Sequence, residues 1–239
     1  MNIILCGYGK MGAMIESILE RREDAAIIGV VHPGLFESPL DIPGKADVII
    51  DFSYPGNLEG VIERARRDKC AVVIGTTGYT DAQLEMIRSA SKDLPIVHSS
   101  NYSVGVAILR RAVRMVAPSL VDSFDVEIVE THHNQKADAP SGTAKMLLNA
   151  IDPDGEFEHV YGRSGITGKR KKEIGIHAVR GGTVAGEHSV FFFGEDETIE
   201  LRHTAASRRI FAAGAVRAAN YIMGRPAGLY DIDDVLNDD

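Results

Sequence analysis

Ile3-Ile4-Leu5-Cys6-Gly7-Tyr8-Gly9-Lys10-Met11-Gly12 is the stretch that decides the fold. Four consecutive apolar residues suit a strand covered on both faces, and Met11, Met14, Ile15, Ile18 and Leu19 then recur at helical spacing. Between strand and helix stands a G-x-G-x-x-G turn. Its first glycine permits the tight turn, its second lets backbone approach a pyrophosphate, and its third allows the helix to pack closely on the strand. The helix beginning there turns its unpaired N–H groups towards phosphate. A ligand-free glycine turn is the bland alternative, and the rest of the chain decides between the two.

Outward from this turn the pattern repeats. Ala26–Val31 is a second strand, Ala46–Ser53 a third, Ala71–Ile74 a fourth and Pro95–His98 a fifth. Helical faces separate several of them, one on Leu58, Val61, Ile62 and Ala65, another opened by the capping-box sequence Thr80-Asp81-Ala82-Gln83. This alternation predicts an α/β, doubly wound Rossmann-type parallel sheet. The polar turns Gly75-Thr76-Thr77-Gly78 and Ser99-Ser100-Asn101-Tyr102 follow strands, at the carboxyl ends where such sheets bind ligands. An NAD-specific protein usually places an acid after its second strand. Here His32-Pro33-Gly34 follow instead, and Lys10 adds positive charge nearby, so the reading leans towards NADPH or use of both NADPH and NADH.

Beyond the helix bearing Ile108, Leu109, Val113 and Val116 the pattern changes. Val126–Val129, His177–Arg180, Ser189–Phe193 and Thr198–Leu201 read as strands with few helices between them, which predicts a second α+β domain on a mixed or antiparallel sheet. Residues 162–172 form a glycine-bearing basic segment, read as a mobile, solvated loop rather than a ligand contact. Ile210–Met223 is an alanine-rich helix.

The densest chemistry lies in His132-His133-Asn134-Gln135-Lys136-Ala137-Asp138-Ala139-Pro140-Ser141-Gly142-Thr143, a loop between the Val126–Val129 strand and a helix on Ala144, Leu147, Leu148 and Ile151. A histidine is suited to proton transfer near neutral pH. Ser141, standing before a helix, reads as an N-cap, and Asp138 as a structural partner of Lys136 or a cap. A Ser141/His132/Asp138 triad would make a hydrolase, but Ser141 lacks a nucleophile elbow and the dinucleotide half would go unexplained. Two adjacent histidines lack further ligands at metal spacing, so no metal is expected. His98, His159, His177, His188 and His203 are read as structural or surface groups.

The 239 residues are 44% hydrophobic and 25% charged, ordinary for a soluble globular chain, and a net charge of −8 disfavours nucleic acid as a partner. Cys6 and Cys70 abut apolar runs and read as buried small hydrophobes of a reducing compartment. No basic leader precedes Ile3 and no apolar run approaches membrane length, so a cytoplasmic location without membrane contact is expected.

The assembled motifs closely resemble the dihydrodipicolinate reductase family over essentially the whole chain. The resemblance rests on the glycine turn, Gly75-Thr76-Thr77-Gly78, Asn101-Tyr102-Ser103-Val104-Gly105-Val106, Glu130 to Ala144, Ile174 to Gly182, and Gly186-Glu187-His188. It implies reduction of a cyclic imine dicarboxylate by NADPH and/or NADH, in lysine and diaminopimelate biosynthesis. His132 is then a proton donor or acceptor, Lys136 the proton donor, and His133, Gly142 and Thr143 substrate contacts. Nucleotide contacts fall on Gly7, Tyr8, Gly9, Lys10, Met11, Gly12, Gly75, Thr76, Thr77, Ser99, Ser100, Asn101 and Tyr102, with His32 at the end of the second strand. The resemblance also implies a homotetramer joined through the second domain's sheets and hinge closure between domains. Residues 1–103 plus 209–239 would be the dinucleotide-binding domain, and 104–208 the substrate-binding and oligomerisation domain. A protein that only senses NAD(P)H, and a related imine or amino-acid dehydrogenase, are the competing readings. A sensor would need no proton donors in the His132–Thr143 loop.

Overall fold

The computed structural model describes residues 1–237. In chain order its elements are β1 (Asn2–Cys6), α1 (Lys10–Leu19), β2 (Ala26–Val31), β3 (Val48–Asp51), α2 (Leu58–Asp68), β4 (Ala71–Ile74), α3 (Asp81–Ala90), β5 (Pro95–His98) and α4 (Val104–Leu120). There follow β6 (Asp125–His132), α5 (Gly142–Ile151), β7 (Glu158–Val160), β8 (Glu173–Arg180), β9 (Gly186–Phe193), β10 (Thr198–Ala205), α6 (Arg209–Ile222), β11 (Gly228–Tyr230) and α7 (Ile232–Leu236). The fold divides into two compact units, one of Met1–Val104 with the chain from Arg209 onward, the other of Gly105–Arg208.

The first unit is a six-stranded parallel sheet in the order β11-β5-β4-β3-β1-β2. Every residue of β3 and β4 is buried, as the unbroken Val-Ile-Ile and Ala-Val-Val-Ile runs require of strands covered on both faces. Ile4, Val72 and Ile96 pack with Val61, Ile62 and Ile87 of α2 and α3. Helix α6 packs against β3, β4, β5 and α1, and its alanines let it lie close. The closest approach is at Gly214, where a Cβ would stand 1.7 Å from the Tyr102 carbonyl oxygen. Strand order reverses between β1 and β3, which makes their carboxyl ends the switch point of the sheet.

The second unit is a mixed five-stranded sheet, β10-β9-β6-β8-β7, in which β6 runs parallel to β8 and antiparallel to β9. Alternation along β6 sends Val126 and Ile128 into a core with Val113 of α4, Leu147 of α5, Ile176 and Phe192. Glu130 and His132 share that inner face at the strand's carboxyl end.

The sequence reading missed β7 and β11, each three residues long and too short to show a period. β8 begins at Glu173 rather than at the expected His177, because Ile174 and Ile176 alternate into the core. The 162–172 segment has no regular structure, but its arginines are not simply solvated. Arg163 pairs with Glu127 at 2.9 Å and Glu173 at 2.7 Å, and Arg170 with Asp125 at 3.0 Å and with Glu127.

Candidate active site

In the first unit the glycine turn is built as its spacing requires. Gly7 has φ +90°, and a Cβ on it would stand 2.4 Å from the Phe52 carbonyl oxygen; one on Gly12 would stand 2.1 Å from the Gly7 oxygen. Gly9 is the opposite case, with nothing within 4 Å of its Cβ position. It is also the N-cap of α1 and offers no side-chain oxygen, so no side chain caps the helix N-terminus. An open cradle with a bare positive helix end fits the pyrophosphate of a dinucleotide. The Tyr8 hydroxyl donates to Glu16 while its ring meets His32 edge-on at 5.7 Å. Lys10 is exposed and Met11 half-buried on the first turn of α1.

The other two predicted nucleotide turns converge on the same strand ends. A Cβ on Gly75 would collide with the Phe52 ring at 2.2 Å. Thr76 is buried, and its hydroxyl accepts the Ser53 N–H at 2.9 Å; Thr77 beside it is exposed. The Ser99 hydroxyl donates to the Asn101 carbonyl at 2.8 Å, Asn101 Oδ1 accepts the Ser103 N–H at 2.8 Å, and Ser100 is exposed. Tyr102 departs from the expectation. It is 1% exposed, and its hydroxyl donates to the carbonyls of Ile74 (2.8 Å) and Val97 (3.1 Å). Its side chain ties β4 to β5, leaving only main chain for a ligand. Burial pushes the Asp51 carboxyl at the end of β3 up from its ordinary value, against hydroxyls of Ser53 (2.5 Å) and Tyr79 (3.2 Å).

In the second unit the His132–Thr143 loop is organised by a residue to which the sequence reading gave no role. Glu130 is fully buried. Its Oε2 lies 2.5 Å from His132 Nδ1, its Oε1 accepts the Ser141 N–H at 3.0 Å, and Arg180 donates to both oxygens at 2.8 Å. Burial raises this carboxyl, but Arg180, His132 and the Ser141 amide together hold it below the ordinary glutamate value. A carboxylate can only accept, so His132 carries a proton on Nδ1 and its Nε2 is left for chemistry. Gly186 opposite provides the room, since a Cβ there would lie 3.1 Å from Nε2.

The loop itself is pinned at several points. The His132 carbonyl accepts the Gly181 N–H, the Asn134 N–H donates to Gly182, and Arg180 reaches across to the Asp138 carbonyl at 2.8 Å. Lys136 pairs with Asp138 at 2.7 Å, which lowers the Asp138 carboxyl. Ser141 caps α5 through the Ala144 N–H at 3.1 Å, the reading its sequence position suggested. Its hydroxyl also lies 3.0 Å from His188 Nε2. Burial, and then the neighbouring His132, push the His188 imidazole down to about 4, so it is neutral at physiological pH. His188 is structural as expected, yet it belongs to the site: its ring meets His132 at 5.1 Å. Gly142 and Thr143 lead α5, and no atom lies within 4 Å of the Gly142 Cβ position. Arg208 donates to His133 Nε2 at 2.9 Å; a guanidinium has no acceptor, so the His133 proton sits on Nδ1.

Glu130, Arg180, Arg208 and the position of His188 beside His132 are what sequence reasoning missed. Only Glu130 carried a signal, for a Glu-x-His pair on a strand points both side chains to one face. Among the described residues no group of three or more His, Cys, Asp or Glu is placed to hold a metal ion, and no helix is long and apolar enough to cross a membrane.

A parallel sheet with an open glycine cradle, together with a second unit that presents a carboxylate-held histidine beside a helix N-terminus, defines a nicotinamide-nucleotide-dependent oxidoreductase. Residues 1–102 match the family description "Dihydrodipicolinate reductase, N-terminus", and 105–236 its C-terminus. The chain belongs to the dihydrodipicolinate reductase family. It is 43% identical over 238 residues to the 4-hydroxy-tetrahydrodipicolinate reductase of Brachyspira hyodysenteriae, covering 99% of this chain and 100% of the relative. The enzyme of the same name from Clostridium novyi is 42% identical over 247 residues, with 98% of each chain covered. Among solved structures, the dipicolinate-bound dihydrodipicolinate reductase of Paenisporosarcina sp. TG-14 shares the fold with a TM-score of 0.78 at 24% identity, over 97% of both chains. A C. glutamicum DAP dehydrogenase in complex with DAP has a TM-score of 0.56 at 11% identity, covering 100% of this chain and 99% of that one.

Proposed function

We propose that this chain reduces 4-hydroxy-tetrahydrodipicolinate (dihydrodipicolinate) to tetrahydrodipicolinate, with its first unit holding NADPH or NADH and its second unit holding the substrate. The observation that carries the reading is the His132–Glu130 pair beside the Gly142-Thr143 helix start, in a chain related end to end to reductases of that name. The bound nicotinamide supplies a hydride. The chain's own residues bind, orient and supply the proton.

One substrate carboxylate docks on the leading N–H groups of α5 at Gly142 and Thr143, where the helix dipole favours an anion and Gly142 leaves the approach open. Lys136 meets the second carboxylate or delivers the proton, drawing its ammonium from Asp138. His132 holds or moves a proton at Nε2. Glu130 makes that step easier by accepting a hydrogen bond from Nδ1–H and stabilising the cationic ring, and Arg180 keeps Glu130 ionised and aimed. The tautomer of His133, the second substrate contact, is set by Arg208.

Self-association into a homotetramer belongs to the same proposal, as does a cytoplasmic location. Support for assembly comes from apolar side chains on the outer face of the second sheet, where Val179 is 47% and Phe193 40% exposed and Phe193 stacks on Phe191. Light scattering on the purified protein tests the assembly.

Activity is tested by substrate-dependent loss of NADPH or NADH absorbance at 340 nm. His132→Gln and Lys136→Ala are expected to fold normally and lose roughly 10²–10⁴-fold in kcat. Near-wild-type rates in both variants, or no turnover of this substrate by the unmodified protein, would overturn the reading.

A further inference from the structure

The sequence shows no acid directly after β2, but the chain brings one back there. Past Val31 it doubles on itself: the His32 N–H donates to the Phe36 carbonyl at 3.0 Å, the Leu35 N–H donates to His32 at 2.9 Å, and Phe36 bridges to both Val31 and His32. Glu37 is thereby returned to the strand end, where its Oε1 accepts the Gly34 N–H at 3.3 Å and its second oxygen is left over. With Gly7, Gly9, His32 and Tyr54 it lines a cavity of about 340 Å³ whose floor is the glycine turn itself. Among the residues lining this cavity Glu37 is the one carboxylate, and none is lysine or arginine.

The segment that follows is fastened. The Ser38 hydroxyl accepts the Leu40 N–H at 3.2 Å, Pro39 is buried, and the fully buried Arg64 donates to the carbonyls of Pro39 (2.7 Å), Ile42 (2.6 Å) and Gly44 (2.7 Å). Glu37 therefore stands on a loop held at both ends, one by the β2 bridge and the other by Arg64.

We propose that Glu37 sets the choice between the two nicotinamide nucleotides. An acid at the end of the second strand accepts a hydrogen bond from the adenosine ribose 2′-hydroxyl of NADH. The same carboxylate faces the doubly charged 2′-phosphate of NADPH with no lysine or arginine in the cavity wall to offset it. NADH is the favoured nucleotide, opposite to what His32 and Lys10 suggest when the sequence is read linearly. The inference rests on the proposed nucleotide site of the first unit.

Isothermal titration of the full-length protein with NADH and with NADPH, without substrate, tests it independently of turnover. The unmodified chain is expected to bind NADH on the order of tenfold or more tightly than NADPH. Glu37→Gln should bring the two affinities close together, and Glu37→Arg should favour NADPH. Retained NADH binding by Glu37→Gln, with an unchanged melting temperature, shows that the loop has kept its fold. A wild-type preference for NADPH, or a ratio that Glu37→Gln and Glu37→Arg leave unmoved, overturns the role of Glu37 alone. Binding of neither nucleotide overturns the nucleotide site, and this inference with it.

Discussion

Replacing Glu130 by glutamine keeps the shape of the side chain and removes its charge. In the native site this one carboxylate serves His132 Nδ1, both terminal nitrogens of Arg180 and the Ser141 amide, at 2.5–3.0 Å and with no exposure to solvent. Glutamine offers a single acceptor oxygen and an NH₂ that confronts donors. Arg180, 20% exposed, is left with a charge that solvent only partly reaches. Removing one partner of a buried ion pair costs about 3–5 kcal/mol; one retained acceptor and partial hydration of Arg180 bring the expectation to about 2–4 kcal/mol. For a chain of this size each kcal/mol lowers the melting temperature by about 2–4 °C, so a drop of roughly 4–16 °C should appear by calorimetry. Below that temperature the variant should remain folded, with its affinity for NADH unchanged and kcat down by roughly 10²–10⁴-fold, because His132 loses the acceptor that fixes its tautomer and supports its cation. The separation is the diagnostic: stability and kcat fall while nucleotide binding, a property of the other unit, does not. A Glu130→Gln protein that turns over within threefold of wild type would refute the positioning argument.

His188 sits near 4 in the folded state against about 6.5 unfolded, so the unfolded chain takes up the proton first; the associated stability is full above about 6.5 and drains as pH falls towards 4, by at most about 3 kcal/mol. Urea midpoints across that window should flatten in His188→Gln, and an equally steep fall in the variant would count against the assignment. Gly12→Ala drives a methyl into the Gly7 carbonyl and should cost about 1–3 kcal/mol, whereas Gly9→Ala meets no protein atom. Gly9→Ala should therefore melt with wild type yet bind NADH much more weakly, and unchanged affinity would show that the cradle is not where the pyrophosphate lies.

How much of this was legible in the sequence depends on how local the cause is. The glycine turn, the Thr80 capping box and the Ser141 cap are fixed by residues a few positions apart, and each reads directly from the chain. The unbroken apolar runs of β3 and β4 likewise announce a sheet covered on both faces. The site's supporting groups are of another kind. Arg180 and His188 stand beside Glu130 and Ser141 only because β8 and β9 flank β6, and no spacing within one segment encodes that pairing. Arg208 meets His133 from 75 positions away. Tyr102 looked like a polar end to a ligand turn, but its hydroxyl is consumed by two carbonyls of neighbouring strands. Glu37 escaped for a related reason. The residues directly after β2, His32-Pro33-Gly34, hold no acid, while the Val31–Phe36 bridge makes a later residue the one at the strand end.

The order of strands has a consequence for how the chain is made. β11 pairs with β5 at one end of the parallel sheet, and α6 covers β3, β4 and β5, yet both follow the whole of the second unit in sequence. On the ribosome, residues 1–104 emerge before the inserted unit but remain without their closing helix, and the β5 edge stays unpaired until Gly228–Tyr230 appears. The inserted unit, contiguous in sequence, has every strand of its sheet in hand before α6 is synthesised. Of the two units, the one begun earlier is thus the later to be completed, and during that interval its bare β5 edge is a place for wrong pairing.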